Sequence, residues 1–139
     1  MDVAVGDLDE RLLDAVAEGD AQSAVSTGIS ADTLIANETE PATIADGART
    51  ISLGDLNWEI IKTGAAGILE VTDEAIAEAM KLYFGLANLK CEPTGALSLG
   101  AVLSDKTRFA GKRICLVVSG GNVDPSIYAQ IISSTDGPE

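Results

Sequence analysis

A chain of 139 residues, of which 46% are hydrophobic, can form one domain with a real core and is too apolar to be disordered throughout. Its formal net charge of -13 argues against nucleic acids and anionic membranes as partners, because both bind basic surfaces. It has no apolar run near the roughly 18 residues of a membrane span, and its two cysteines, Cys91 and Cys115, lie in apolar contexts that favour buried, reduced thiols in a cytoplasmic protein.

The first half of the chain predicts a strand, two helices and a long loop. Asp2–Gly6 is typical of a short strand, and Asp9–Ala17 has leucine and valine side chains at helical spacing. Residues 19–42 are polar and small without a period, which indicates mostly loop. Trp58–Lys62 favours a helix, and the small residues Gly64–Gly67 are expected to end it.

The next segment predicts a strand followed by the best-defined helix. Ile68–Val71 is rich in β-favouring residues, and Thr72 with Asp73 forms a good helix N-cap. The apolar residues that follow share one helical face, which should pack on the core. They are Ile76, Ala79, Met80, Tyr83 and Phe84.

The last third continues the alternation of helices and strands. Glu92 precedes a proline and marks a boundary, after which Gly95–Leu103 favours a small-residue helix that packs closely on a sheet. The run Ile114–Val118 is expected to be a strand covered on both faces. Asp124 should cap a final helix that runs through Ile132. This order predicts an α/β fold with a mainly parallel sheet flanked by helices.

Two local features are compatible with a ligand site, although local chemistry favours a structural role for each. Ser119, Gly120 and Gly121 follow a strand and precede a helix, at the sheet edge where α/β proteins bind ligands. The glycines permit a close backbone approach, and the serine offers a hydroxyl. The Glu92 carboxylate caps the helix that begins near Thr94 or points into a cleft, and both alternatives remain open.

Four motifs in order give the chain a family resemblance. They are "TIADGART" (43–50), "LGDLNWEII" (53–61), "CEPTGALSLGAVL" (91–103) and "SGGNVD" (119–124). Together they resemble the C-terminal part of the pyridoxal-phosphate serine/threonine dehydratases, the group that includes serine racemases and threo-3-hydroxyaspartate ammonia-lyases. The likeness extends from Thr43 to Ile132.

The resemblance implies a fold type II (tryptophan synthase β-like) α/β architecture, usually homodimeric, with pyridoxal phosphate as cofactor. The implied reaction is β-elimination of serine or threonine to a 2-oxo acid and ammonia. A neutral serine hydroxyl at the pyridine nitrogen would leave the ring a weaker electron sink than an aspartate would, which suits elimination. The residues matching cofactor-binding positions are Ser119 at that nitrogen, Gly120 and Gly121 at the ring edge, Asn122 in the turn, Gly54 beside the cofactor and Glu92 at the polar edge.

The chain also departs from the family pattern. Asn57-Trp58-Glu59, Ala66-Gly67 and Leu86-Ala87-Asn88 replace common family residues, which leaves substrate preference and any nucleotide effector open. The Schiff-base lysine and the phosphate-binding glycine run precede this region in the family and have no counterpart here. The lysines that match no family nucleophile are Lys62, Lys81, Lys90, Lys106 and Lys112.

We therefore expect residues 1–139 to be a C-terminal fragment of the large cofactor-binding domain, without a catalytic residue of its own. Its expected partners are a complementing N-terminal segment or a second copy, together with an amino acid substrate. The alternative is a stand-alone binding or dimerisation module without catalysis. The family's divalent-cation site has weak candidates in Asp14, Glu18 and Asp20, or in a set beginning at Asp7, but solvated acidic side chains explain these residues better.

Overall fold

The computed structural model describes residues 32–134 together with the strands Val3–Asp7 and Arg11–Ala17, of which the backbone is described. The expected loop over 19–42 is therefore described only from residue 32, and residues 32–42 contain no helix or strand. Within the described residues, no helix has the length and apolar character needed to cross a membrane.

Four strands form one mixed sheet in the order β3-β2-β1-β4. The strands are β1 (Val3–Asp7), β2 (Arg11–Ala17), β3 (Ala65–Val71) and β4 (Ile114–Leu116). The β2–β3 pair is parallel, whereas β1 pairs antiparallel with both β2 and β4. The predicted α/β class is confirmed, but the expected parallel direction is found in one of these three pairings.

The helix predicted over Asp9–Ala17 is wrong, because these residues contain strand β2. In so short a run, leucines and valines fit both the helical repeat and the alternation of a strand, so local spacing cannot distinguish a helix from a strand. The choice is made by hydrogen bonding to partners distant in sequence, since β2 lies between β1 and β3. The strand predicted over Asp2–Gly6 is confirmed as β1.

Five α-helices and two single 3₁₀ turns occur in the described part of the chain. The helices are α1 (Asp55–Gly64), α2 (Asp73–Ala87), α3 (Leu97–Ser104), α4 (Lys106–Phe109) and α5 (Pro125–Ser133). The 3₁₀ turns are Asp46–Ala48 and Thr94–Ala96. The predicted helices at 58–62, 95–103 and 124–132 are confirmed, with boundaries shifted by a few residues.

Helix α2 begins at the N-cap that the sequence predicts and ends at a left-handed asparagine. The Thr72 side chain accepts a hydrogen bond from the backbone N–H of Ala75 at 3.3 Å. At the other end, Asn88 adopts a left-handed conformation with φ of 51°, and the Leu89 N–H donates to the Tyr83 carbonyl. The predicted inner face is buried except for Phe84, which is 50% exposed and packs edge-on against the Tyr128 ring.

Helices α2 and α3 pack together over the core. Gly100 of α3 lies so close to strand β3 that an added Cβ would be 2.7 Å from Val71 Cγ1. This contact confirms the expectation that the small-residue helix approaches the sheet closely. The largest fully buried side chains of the core are Ile76, Met80, Leu97 and Val71.

The loop over residues 43–49 is attached to the rest of the fold through its backbone and side chains. The Thr43 hydroxyl and the Ile44 N–H both donate to the Asp73 carboxylate, the latter at 3.0 Å. The Gly47 N–H donates to the Thr94 hydroxyl at 3.0 Å. The loop thus joins the start of α2 to the 3₁₀ turn that precedes α3.

Replacing Asp73 by alanine is expected to lower the free energy of unfolding by about 1.5–3 kcal/mol, because two hydrogen bonds to a charged acceptor are lost. Asp55 of α1 also lies in the first turn of a helix, so Asp55→Ala removes only a similar interaction with the helix dipole. We expect that control to cost about 0.3–1 kcal/mol. Urea unfolding measures both, and equal losses would show that the loop attachment adds nothing.

Candidate functional site

Ser119, Gly120 and Gly121 follow strand β4 and form the segment that we call the glycine turn. After Leu116 the chain continues without regular structure to Asp124, the N-cap of α5. Gly120 has φ of +62°, a left-handed conformation that residues with a Cβ rarely adopt. The positive φ considered for this turn is therefore present, at the residue directly after Ser119.

Glu92 lies against this turn. Its backbone N–H donates to the Gly120 carbonyl at 3.1 Å. A Cβ placed on Gly120 would be 2.2 Å from both Cδ and Oε1 of the Glu92 carboxyl group. The interpretation of Glu92 as a helix cap is wrong, because the 3₁₀ turn beginning at Thr94 has Pro93 as its N-cap and no side-chain cap hydrogen bond.

Two further residues contact the turn, and sequence reasoning did not single them out. A Cβ on Gly95 would be 1.7 Å from the Ser119 carbonyl oxygen. The buried Ser98 hydroxyl donates to the Val117 carbonyl at 2.9 Å. The run of small residues in "TGALSLG" was the available signal, since a helix start without bulky side chains permits close backbone contact.

The structure brings four of the six predicted cofactor-binding residues together. Glu92, Ser119, Gly120 and Gly121 belong to the two contacting segments, and a Cβ on Gly121 would be 3.6 Å from the Lys90 carbonyl. Asn122 follows them in the chain and is exposed. Gly54 is the N-cap of α1, and a Cβ there would meet no atom of the described residues within 4 Å. No described atom of the turn is therefore near the Cβ position of Gly54.

Ser119 is half-buried and electrically neutral. In the described part of the chain its hydroxyl makes no hydrogen bond. Such a hydroxyl can donate to one group or accept from another.

Three titratable side chains of this region, Cys91, Tyr83 and Tyr128, are uncharged at neutral pH because their pKa values are raised. Burial raises the pKa of the Cys91 thiol to about 11, and the Glu92 carboxylate acts in the same direction. Burial also raises the pKa of Tyr83, which the Ser98 hydroxyl partly offsets and Cys91 reinforces. The pKa of Tyr128 is raised by burial and then by Cys91. Near these groups, the Lys90 ammonium lies 5.8 Å from the centre of the Tyr128 ring.

Strand β4 is not covered on both faces, contrary to the sequence prediction. Cys115 is exposed and Val117 is 48% exposed, whereas Phe109 packs against Ile114 and Leu116 on the other face. A β-favouring run has the same composition at the edge of a sheet as in its centre, and β4 is an edge strand here. The prediction of two buried thiols therefore holds for Cys91 and is wrong for Cys115.

This difference predicts selective alkylation. Iodoacetamide at mildly alkaline pH should modify the exposed Cys115 quickly, while Cys91 should react only after unfolding, because its thiol is buried and protonated. Peptide mass spectrometry with and without denaturant distinguishes the two sites. Rapid modification of Cys91 in the folded chain would contradict the described packing around it.

The sequence profile of the family described as "pyridoxal-phosphate dependent enzyme" matches residues 15–120, which include Glu92, Gly95, Ser119 and Gly120. The match extends over most of the chain, so the protein belongs to the pyridoxal-phosphate-dependent enzyme family.

Within that family, the chain is similar to racemases and ammonia-lyases of hydroxy amino acids. It is 43% identical over 93 residues to the serine racemase of Schizosaccharomyces pombe, with 67% of this chain and 29% of the relative covered. It is 38% identical over 116 residues to an L-threo-3-hydroxyaspartate ammonia-lyase from Pseudomonas sp, with 84% and 35% covered.

Solved structures support the same relationship. The structure of maize serine racemase matches with a TM-score of 0.76 at 34% identity, covering 86% of this chain and 38% of that chain. The match confirms the fold type II architecture as a partial domain. The chain spans about a third of the length of the relatives it matches.

The predicted divalent-cation candidates are not tested by the geometry. Glu18 and Asp20 lie outside the described residues, and of Asp7 and Asp14 only the backbone is described. In the described part of the chain, no three side chains among aspartate, glutamate and cysteine form a metal-binding group.

Proposed function

We propose that this chain forms the pyridine-nitrogen side of a pyridoxal-phosphate site in an ammonia-lyase or racemase of small hydroxy amino acids. The observation that carries the proposal is the position of Ser119 shortly after strand β4 and next to the left-handed Gly120, whose carbonyl accepts the Glu92 N–H. Family membership and the similarity to serine racemase and hydroxyaspartate ammonia-lyase support it.

The residues around the turn fit a flat, aromatic, nitrogen-containing ring. Gly121 has no side chain, so its exposed backbone permits close approach of a planar group. The hydroxyl of Ser119 would donate a hydrogen bond to an unprotonated ring nitrogen and would provide no negative charge to hold a proton there. Gly54 and Asn122 belong to the proposed cofactor-binding set by resemblance alone.

When bound, pyridoxal phosphate supplies the electron-accepting ring that makes elimination from the amino acid possible. The role of this chain is to bind and orient that ring. The Ser119 hydroxyl would bind the ring nitrogen without adding a charge, and the neutral Cys91 and Tyr83 side chains add none either. The proposed reaction converts a hydroxy amino acid such as serine or threonine into a 2-oxo acid and ammonia.

Complementation tests this function. The full chain is mixed with the part of the Schizosaccharomyces pombe serine racemase that the chain does not match, and pyridoxal phosphate is added. We expect the visible absorbance of bound cofactor and formation of a 2-oxo acid from serine or threonine, neither of which the chain gives alone. The control is Ser119→Ala, which should assemble equally well but lose activity. A stable but colourless complex would contradict the proposal.

A second candidate is a binding or dimerisation module without catalysis. Several large apolar side chains on the helices are exposed, among them Leu56 at 80% and Ile60 at 70% in α1. Exposed apolar surface is typical of protein interfaces. Size-exclusion chromatography with light scattering would favour this candidate if the chain alone forms a stable dimer and the complementing fragment does not bind it.

A further inference from the structure

We propose that Gly95 and Ser98 are positioning residues, which hold the backbone of the glycine turn and thereby fix where the Ser119 hydroxyl meets its ligand. Gly95 lies in the 3₁₀ turn before α3, and Ser98 lies in the first turn of that helix. The part of this proposal that concerns a ligand depends on the function proposed above. The part that concerns the turn depends only on the packing of the two segments.

Gly95 sets how closely the turn approaches the start of α3. The 1.7 Å between its Cβ position and the Ser119 carbonyl oxygen is far inside any contact that real Cβ atoms make. The obstructing atom belongs to the backbone, so no rotation of a side chain can relieve the clash. Any residue other than glycine must therefore displace the peptide that carries Ser119.

Ser98 holds the same turn from the strand side. Its side chain is fully buried and donates to the carbonyl of Val117, two residues before Ser119. Without this hydroxyl the Val117 carbonyl loses its hydrogen-bond partner from α3, which favours local opening of the turn. Gly95 and Ser98 thus contact the main chain on both sides of Val118, and together they restrict the movement of Ser119.

The contact at Gly120 is of a different kind. There the neighbouring atoms are the end of the flexible Glu92 side chain, which can turn away from an added methyl group. The positions that determine how closely the turn approaches α3 are therefore those whose neighbours are backbone atoms. This separates Gly95 and Ser98 from the residues that face the proposed cofactor.

Amide hydrogen exchange on the full chain tests the positioning role. The Glu92 N–H is hydrogen-bonded to the Gly120 carbonyl, so its exchange rate reports whether the turn keeps its contact with this segment. The Leu89 N–H is hydrogen-bonded to the Tyr83 carbonyl and serves as the internal reference. Gly95→Ala and Ser98→Ala should each raise exchange at Glu92 relative to Leu89 by about tenfold.

Matched controls come from the same helix. Gly100→Ala also introduces a close Cβ, but against Val71, and Ser104→Ala removes a hydroxyl bonded to the Gly100 carbonyl within α3. Both controls should leave the exchange ratio unchanged. If Gly95→Ala does not fold, Ser98→Ala alone decides the matter. An unchanged ratio in the folded variants, or the same rise in the controls, overturns the proposal.

A second measurement separates this inference from the proposed function. In the complemented protein, Gly95→Ala should lower kcat by about 100-fold with little change in KM, because a displacement near 1 Å has this effect on an oriented group. Wild-type protein that never binds cofactor would refute the proposed function and leave the exchange result valid. Wild-type activity in Gly95→Ala would refute the positioning role alone.

Discussion

Replacing Leu97 by alanine is expected to lower the free energy of unfolding by about 2–5 kcal/mol. Leu97 is fully buried in the cluster that includes Ile76, Met80 and Val71. The loss combines the transfer of a large apolar side chain with the cavity left between α2, α3 and the sheet. Because a domain has only about 5–15 kcal/mol of net stability, a large fraction would be lost.

The matched control is Leu86→Ala in α2. The same side chain is 80% exposed there, so its removal should change the free energy of unfolding by about 0.5 kcal/mol or less. Urea unfolding followed by circular dichroism measures both variants. Similar losses at the two positions would mean that α3 is not packed on α2 in the way described.

Replacing Gly120 by alanine is expected to reduce kcat/KM of the complemented protein by about 100-fold. The added methyl group takes the position now occupied by the Glu92 carboxyl group, and alanine disfavours the φ of +62°. Both effects move groups of the proposed site. The effect on stability should be smaller, about 1–2 kcal/mol, because Glu92 can swing aside and only the backbone strain remains.

Gly111 provides the control for that strain. It has φ of +74°, and no atom of the described residues lies within 4 Å of its Cβ position. Gly111→Ala should therefore lower stability as much as Gly120→Ala while activity remains at the wild-type level. If both variants lose activity equally, the loss reflects strain and not the contact between Gly120 and Glu92.

Much of the helical structure could be predicted because its signals are local. Thr72 and Asp124 were recognised as N-caps, and both side chains accept hydrogen bonds from the first turns of α2 and α5. The apolar face of α2 was predicted correctly apart from Phe84. Beta structure was harder, as the strand at Arg11–Ala17 and the exposed Cys115 show. Which strands pair, and which lies at an edge, depends on residues far apart in sequence.

The site could be predicted only in part, because some of its contacts join residues far apart in the sequence. Family motifs led to Ser119, Gly120 and Glu92, but only the contacts between segments revealed Gly95 and Ser98. Nothing in "TGALSLG" by itself indicates at which position a larger side chain would clash with the turn. The answer comes from the position of the Ser119 and Val117 carbonyls, which belong to a segment about 20 residues further along the chain.

From its sequence alone, the chain was recognisable as an acidic α/β protein that resembles the C-terminal part of a pyridoxal-phosphate enzyme. Helix caps, helical faces and short motifs depend on residues that are close together in the chain, so the local order of residues encodes them. Strand direction, the exposure of Cys115 and the contact of Glu92 with the glycine turn were decided only by the tertiary structure. They depend on distances between atoms remote in sequence, which no local pattern encodes.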